Sequence, residues 1–165
     1  MKQDKISKIK GRMVFDSRGI PTIEAEVVLQ NKIKARAIAP SGASKGKNEA
    51  LEKRDGGKKF LGQSVFKNVE VINSIINNAL IGMNINEQKK IDRTLIELDG
   101  SDNKSILGGN TTIAVSMAIL KAAAKNQKVD LWKYLSNDKE CYLPLPEVQI
   151  IGGGAHAKGS ISVQD

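Results

Sequence analysis

The stretch Ile23-Glu24-Ala25-Glu26-Val27-Val28-Leu29 reads as a β-strand with one dry face and one wet face. Ile23, Ala25, Val27 and Leu29 share one parity, and Glu24 and Glu26 share the other. A period of two sends alternate side chains to opposite sides of a sheet. Upstream, within residues 6–15, Ile9, Met13 and Phe15 fall on one parity. Downstream, Gln30-Asn31-Lys32 makes a short turn, Ile33, Ala35, Ala37 and Ala39 resume the period, and Pro40 ends it. Short alternating runs joined by tight turns predict an antiparallel meander that packs on the core through one side.

Farther along, the period changes from two to three and four. Val65, Val69, Ile72, Ile76, Ala79 and Leu80 predict a helix, with Gly82 just past its end. A second helix is expected from an N-cap at Asn86 through Ile91, Leu95 and Leu98 to Asp99-Gly100. A third starts near Asn110, built from helix formers such as Ala114, Ala118, Lys121 and Ala124. Its apolar stripe is read as Ile113, Met117 and Leu120. Asp130 is placed to cap a short helix holding Leu131, Trp132 and Leu135. Methionine and tryptophan in these helices are read as core rather than cofactor contacts. Strands followed by helices specify an α+β domain, a three-stranded antiparallel meander with a helical layer, over residues 1–140.

The pattern shifts at Cys141. Leu143-Pro144-Leu145-Pro146 breaks any helix, and Glu147 to Ile151 is expected to be a strand. It runs into Gly152-Gly153-Gly154-Ala155-His156, which carries the single histidine, and Ile161-Ser162-Val163-Gln164-Asp165 resembles the start of a further strand. Residues 141–165 are too few to be a domain and are read as the opening of one.

The 165 residues carry a formal net charge of +8, which raises the question of an anionic partner. The lysines are scattered in pairs (Lys8 and Lys10, Lys32 and Lys34, Lys58 and Lys59, Lys89 and Lys90), and the 3 Phe, 2 Tyr and 1 Trp do not interleave with them. A solvated lysine-rich surface is favoured over nucleic-acid binding. No run approaches the roughly 20 apolar residues of a membrane helix, and Met1 to Lys5 lead into no apolar leader. The lone Cys141 has no disulfide partner in the chain, which fits a reducing compartment, and a cytoplasmic protein is expected.

Three segments carry candidate chemistry. Ser41-Gly42-Ala43-Ser44-Lys45-Gly46 offers flexible backbone and hard oxygen donors suited to Mg²⁺ or phosphate, without the spacing of a P-loop. An ordinary surface loop is the competing reading. His156, on a glycine-rich loop after a strand, sits where an α/β barrel places active-site groups. It can bind phosphate or exchange a proton, or serve structure alone. Asp16-Ser17-Arg18-Gly19 offers an arginine that can clamp a carboxylate or make an ion pair across the turn, and the structural role is favoured. Gln164 and Asp165 form a polar pair, and no nucleophile–base set is present.

Taken in order, these segments resemble enolase (phosphopyruvate hydratase). Asp16-Ser-Arg-Gly-x-Pro21-Thr22, Pro40-Ser-Gly-Ala-Ser44-x-Gly46 and Glu49-Ala-Leu-Glu-x-Arg54-Asp-Gly56 look like the family's DSRGNPT, PSGASTG and EALELRDG. Ala79-Leu-Ile-Gly-Met83, Ile96-Glu-Leu-Asp-Gly100, Asn103-Lys-Ser105 and Gly153-Gly-Ala-His-Ala157 recur at similar spacing. Together they cover essentially the whole chain.

The resemblance implies an N-terminal α+β domain followed by the first strands of a C-terminal barrel, 141–165, of which most would lie outside this chain. It implies dehydration of 2-phosphoglycerate to phosphoenolpyruvate with two Mg²⁺ ions. By the same resemblance, Ser44 ligates the second Mg²⁺, and Ser41, Gly42 and Ala43 belong to the mobile loop that carries it. His156 lies near the substrate phosphate, and Gln164 and Asp165 face the substrate. Arg12, Glu24 and Arg18 fall in the region that forms a homodimer interface. Lys45, Ile20, Gly152 and Asp165 depart from the family's pattern, Asp165 being shorter than a glutamate by about 1.5 Å, one C–C bond. No residue here matches the three carboxylates of the first metal site, the lysine base or the acid glutamate, so this chain alone is expected to be inactive. A non-catalytic interaction module of the same fold and a basic nucleic-acid-associated domain are the competing readings.

Overall fold

The computed structural model describes residues 4–42, 45–137, 139–154 and 161. In it the alternation around Ile23 becomes the central strand of a three-stranded antiparallel sheet in the order β1-β2-β3. The strands are β1 (Ile6–Phe15), β2 (Pro21–Leu29) and β3 (Lys34–Ile38). Ile9, Gly11 and Met13 of β1 face Val27, Ala25 and Ile23 of β2, and Ala37 and Ala35 of β3 face Ala25 and Val27 from the other side. These rows form the dry side, with Ile9, Ile23, Ala25, Val27 and Ala37 buried. The register slips between Ile6 and Lys8, which brings Ile6 opposite Leu29 and buries both. Phe15 shares the parity of the dry side but lies at the strand's end, 55% exposed, and packs edge-on against Phe60. It is not core.

The wet side is an ion-pair row. Arg12 stands opposite Glu24 and donates to Glu24 at 2.6 Å and to Glu26 at 2.9 Å, while Arg36 approaches Glu24 at 3.7 Å. The hydrogen bonds it donates to Glu24 and Glu26 push the Arg12 guanidinium pKa up.

The first predicted helix is interrupted. α1 (Phe66–Val71) passes through a π turn (Ile72–Ile76) into α2 (Asn77–Leu80). Val65, Ile72, Ile76 and Leu80 are buried as the spacing demands. The same run lies along the outer edge of β1. The amide oxygens of Asn77 and Asn73 accept the N–H groups of Ile9 and Gly11, each at 2.8 Å. Gly11 eases this approach, since a Cβ there would stand 3.0 Å from Ile72 Cβ and one of the two would have to shift.

α3 (Gln88–Asp99) begins after Glu87, not at an Asn86 cap; the Asn86 N–H is instead held by Asn84 Oδ1. It ends at Gly100 with φ 65, the left-handed stop a glycine permits. α4 (Gly109–Asn126) packs on β2 and β3. Its buried face is Thr111, Ala114, Val115, Ala118, Ile119, Ala122 and Ala123, while Ile113 is 56% exposed. The expected Ile113, Met117 and Leu120 stripe is therefore displaced, because alanines let the helix lie close to the sheet and push larger side chains to the flanks.

α5 (Leu131–Ser136) leaves Trp132 and Leu135 exposed, contrary to the core reading of Trp132. The chain divides into two units, Met1–Leu135 and Ser136–Asp165. In the second, Glu147 to Ile151 adopts no regular secondary structure, which corrects the expected strand. A strand is a property of a ladder, and an apolar extended segment does not create one by itself. Ile161 is in no strand, and the rest of the segment expected to begin one lies outside the described residues. No helix among the described residues is long and apolar enough to cross a membrane.

Candidate functional site

The hairpin between β1 and β2 is closed by Asp16-Ser17-Arg18-Gly19. Asp16 Oδ1 accepts the N–H groups of Arg18 (2.8 Å) and Ile20 (2.9 Å), and Gly19 takes φ 73. The Ile20 N–H, joined by the N–H and guanidinium of Arg18, holds the Asp16 carboxyl below its ordinary range. Arg18 pairs with Asp16 at 3.4 Å, the favoured ion pair across the turn, and also donates to the carbonyl of Ser41 at 2.5 Å.

Ser41 is thus tied to the hairpin from a distance of 23 residues. Its hydroxyl donates to Glu52 and accepts from Arg54. Arg54 spreads its guanidinium over four acceptors: the carbonyls of Pro21 and Gln63, Ser41 Oγ and the Glu52 carboxylate. Planar, forked donors suit this convergence. Just before Ser41, Ala39 is held on both sides, its carbonyl by Thr22 Oγ1 and its N–H by Ile23 O.

The strap of residues 49–56 is fixed from the helical side. Gly109 N donates to Leu51 O at 2.7 Å, and the Asn110 amide brackets Lys53, accepting its N–H at 3.2 Å and donating to its carbonyl at 3.0 Å. Asp55 accepts the N–H groups of Phe66 and Lys67 at the start of α1. Burial pushes that carboxyl up, but the Ser64 hydroxyl and these two backbone donors outweigh it and leave the pKa lowered.

Between strap and sheet lies a cavity of about 450 Å³, lined among others by Ser41, Gly42, Glu49, Glu52, Asn110 and Met117. Among the described residues its charged lining is acidic, with no lysine or arginine, which does not suit a phosphate. Among the described residues no three of His, Cys, Asp and Glu gather to hold a metal, and the Ser41 hydroxyl is already committed to Glu52 and Arg54. The described donors do not make a Mg²⁺ site.

Of the residues singled out from sequence, Ser41 and Gly42 lie at the root of the loop. Ala43, Ser44, His156, Gln164 and Asp165 lie outside the described residues. Sequence reasoning assigned no role to Glu52 and Arg54. An acid and a base two apart, in an extended strap that follows a glycine loop, were the available signal.

Three motifs quoted from the sequence, around Arg18, Ser41 and Arg54, therefore meet in one hydrogen-bonded cluster. The family described as "Enolase, N-terminal domain" matches residues 6–135. A curated protein named "Enolase" from Ehrlichia canis (strain Jake) is 50% identical over 161 residues, which is 97% of this chain and 38% of that relative. The chain spans well under half the length of the relative it matches, and on the strength of both likenesses it belongs to the enolase family, as a member of its N-terminal domain.

Proposed function

We propose that this chain supplies the N-terminal part of an enolase, the enzyme that dehydrates 2-phosphoglycerate to phosphoenolpyruvate in glycolysis. The observation that carries the reading is the Arg18–Ser41–Arg54 cluster, which builds a firm root directly ahead of the loop holding Ser44. In this reading Ser44 is the chain's one ligand to Mg²⁺, which would neutralise the substrate carboxylate. Ser41, Gly42 and Ala43 form the loop beside it, and His156, Gln164 and Asp165 face the substrate. Arg12, Glu24 and Arg18 belong to a homodimer interface. Residues 141–165 open the barrel, and the complete protein works in the cytoplasm.

The chain by itself is catalytically silent in this proposal, because none of its residues matches the proton-abstracting base or the first metal site. The joint loss of such groups is worth many orders of magnitude in rate. The test replaces the matching segment of the Ehrlichia canis enolase with this chain. The chimera is expected to form phosphoenolpyruvate with Mg²⁺, and the 165-residue chain alone to form none. Ser44→Ala in the chimera should cut turnover with little change in melting temperature. A folded but inactive chimera would leave the chain as an interaction module of the same fold, and turnover by the isolated chain would refute its silence.

A further inference from the structure

We propose that the outer edge of β3 takes a strand from a second copy of this chain. The added strand is residues 147–151, laid parallel to β3 with Glu147 at the Lys34 end. This goes beyond the proposed function and does not rest on it, since it concerns the chain as it stands.

The two edges of the sheet are treated differently. Asn73 and Asn77 cover the outer edge of β1. On β3, Leu29 N–H donates to Ile33 O at 2.9 Å and Ala39 N–H to Ile23 O at 3.1 Å. Antiparallel pairs alternate between residues that exchange bonds and residues that do not. Ala35 and Ala37 share the parity of Ile33 and Ala39, so they turn their backbone groups to β2. Lys34, Arg36 and Ile38 turn theirs outward. There Lys125 Nζ takes the Lys34 carbonyl at 3.0 Å, and among the described residues nothing bonds the N–H groups of Arg36 and Ile38. An edge with free donors and acceptors is a template for another strand.

The flank of α4 gives that edge a polarity. Ile113, Met117, Lys121 and Lys125 follow one another at four-residue spacing on the helix. Lys125 reaches the Lys34 end of β3, whereas Ile113 and Met117 line a cavity together with Ile38. The border of the sheet is therefore cationic toward Lys34 and apolar toward Ile38. Ile38 and Ile113 are both about half exposed.

Residues 147–151 carry the complementary pattern. They read Glu-Val-Gln-Ile-Ile, lie in no regular secondary structure, and leave Val148 75% and Ile150 87% exposed. Laid parallel, Glu147 falls beside Lys34 and near Lys125, Gln149 beside Arg36, and Ile151 beside Ile38. Val148 and Ile150 have the other parity, so they extend the dry side past Ala35 and Ala37 toward the flank of α4. The opposite direction would set Glu147 among Ile38 and Ile113 and leave the lysines facing Ile151. Burial of apolar side chains drives the contact, and the backbone ladder with the charge at one end sets its direction.

The test is sedimentation of the 165-residue chain over a range of concentrations, with amide exchange at Arg36 and Ile38 followed in the same samples. The chain is expected to self-associate, and exchange at these two amides to slow as it does. Lys34, Glu147 and Val148 are exposed, so changes there leave the fold intact. Val148→Lys should weaken association about tenfold or more. Lys34→Glu and Glu147→Lys should each weaken it about three- to tenfold, and the two together should recover much of that loss. A chain still monomeric at roughly 1 mM overturns the proposal. So does association that leaves exchange at Arg36 and Ile38 unchanged, slow exchange there that does not depend on concentration, or a double charge variant no better than the singles. No turnover is read, so failure here leaves the proposed function standing, and an inactive chimera leaves this result standing.

Discussion

Asn73 holds Gly11 by both backbone groups: its amide oxygen accepts the Gly11 N–H at 2.8 Å, and its amide nitrogen donates to the Gly11 carbonyl at 3.4 Å. With Asn77 bonded to Ile9, the pair seals a strand edge that would otherwise present unpaired donors to another chain.

Two substitutions test that seal from opposite sides. Asn73→Ala should destabilise the domain by ~1–2 kcal/mol through the lost bonds to Gly11. Gly11→Ala places a methyl 3.0 Å from Ile72 Cβ, and overpacking of this kind costs roughly 1–3 kcal/mol. Chemical denaturation would read both, and Asn73→Ala should also show more self-association at high concentration. An unchanged midpoint in either variant would refute the corresponding contact.

Asp99 makes acid stability testable. It is 1% exposed, and its carboxylate accepts from the N–H and hydroxyl of Ser101 and from the N–H of Leu107, so it organises the turn between α3 and α4. Burial pushes its pKa up, but those donors outweigh it and the folded pKa is lowered from 3.8. A lowered folded pKa means stability that is fully present above 3.8, falls as pH drops below it, and is lost once pH passes the folded value. Asp99→Asn keeps one acceptor oxygen where two are used, so ~1–3 kcal/mol should be lost at neutral pH. The gap to wild type should narrow in acid. A constant gap from neutral pH to pH 3 would count against this account.

The meander was legible because β2 alternates Ile23, Ala25, Val27 and Leu29 with Glu24 and Glu26, and the first four are all buried; Glu24 is buried as well, under its ion pairs with Arg12 and Arg36, which the alternation did not show. The face of α4 was not, because alanine marks both a helix former and a close-packing surface, and only the sheet's approach shows which. Asn73 and Asn77 look like polar surface in the sequence, since their partners are 62 and 68 residues away. The loop Ser41-Gly42 was legible as a candidate site, whereas its dependence on Arg54 is a tertiary fact. The acid and base in the strap could equally have paired with each other alone.

The hook Lys59–Gly62 holds Phe60 at φ 49 and Leu61 at φ 54, in the left-handed region. Leu61 is 93% exposed, so its side chain contributes little burial. Leu61→Val should be less stable than Leu61→Gly by ~1 kcal/mol or more, because β-branching resists that backbone while glycine accepts it. Thermal melts of the two variants side by side decide it, and the reverse order would show that the hook relaxes.

Arg12→Met should lower stability by about 1 kcal/mol near neutral pH, by leaving Glu24 and Glu26 facing each other with one cation fewer. The loss should shrink in high salt, where the pairing of Arg12 with the two carboxylates is screened. A loss of equal size at low and high salt would mean Arg12 acts through packing of its stem.

The π turn at Ile72–Ile76 carries one residue more than an α-helix would need to cover the same rise. Chain length is usually free to drift in loops, where an inserted or deleted residue is absorbed by solvent-exposed backbone. Here a deletion would rewind the turn and rotate everything before it by roughly 100° relative to everything after it, one residue's share of a 3.6-residue turn. Ile72 and Asn73 would leave the edge of β1 while Asn77 stayed. In alignments of this family, a single-residue gap in 72–76 accordingly deserves to be treated as a structural event, expected to travel with changes at the position of Gly11.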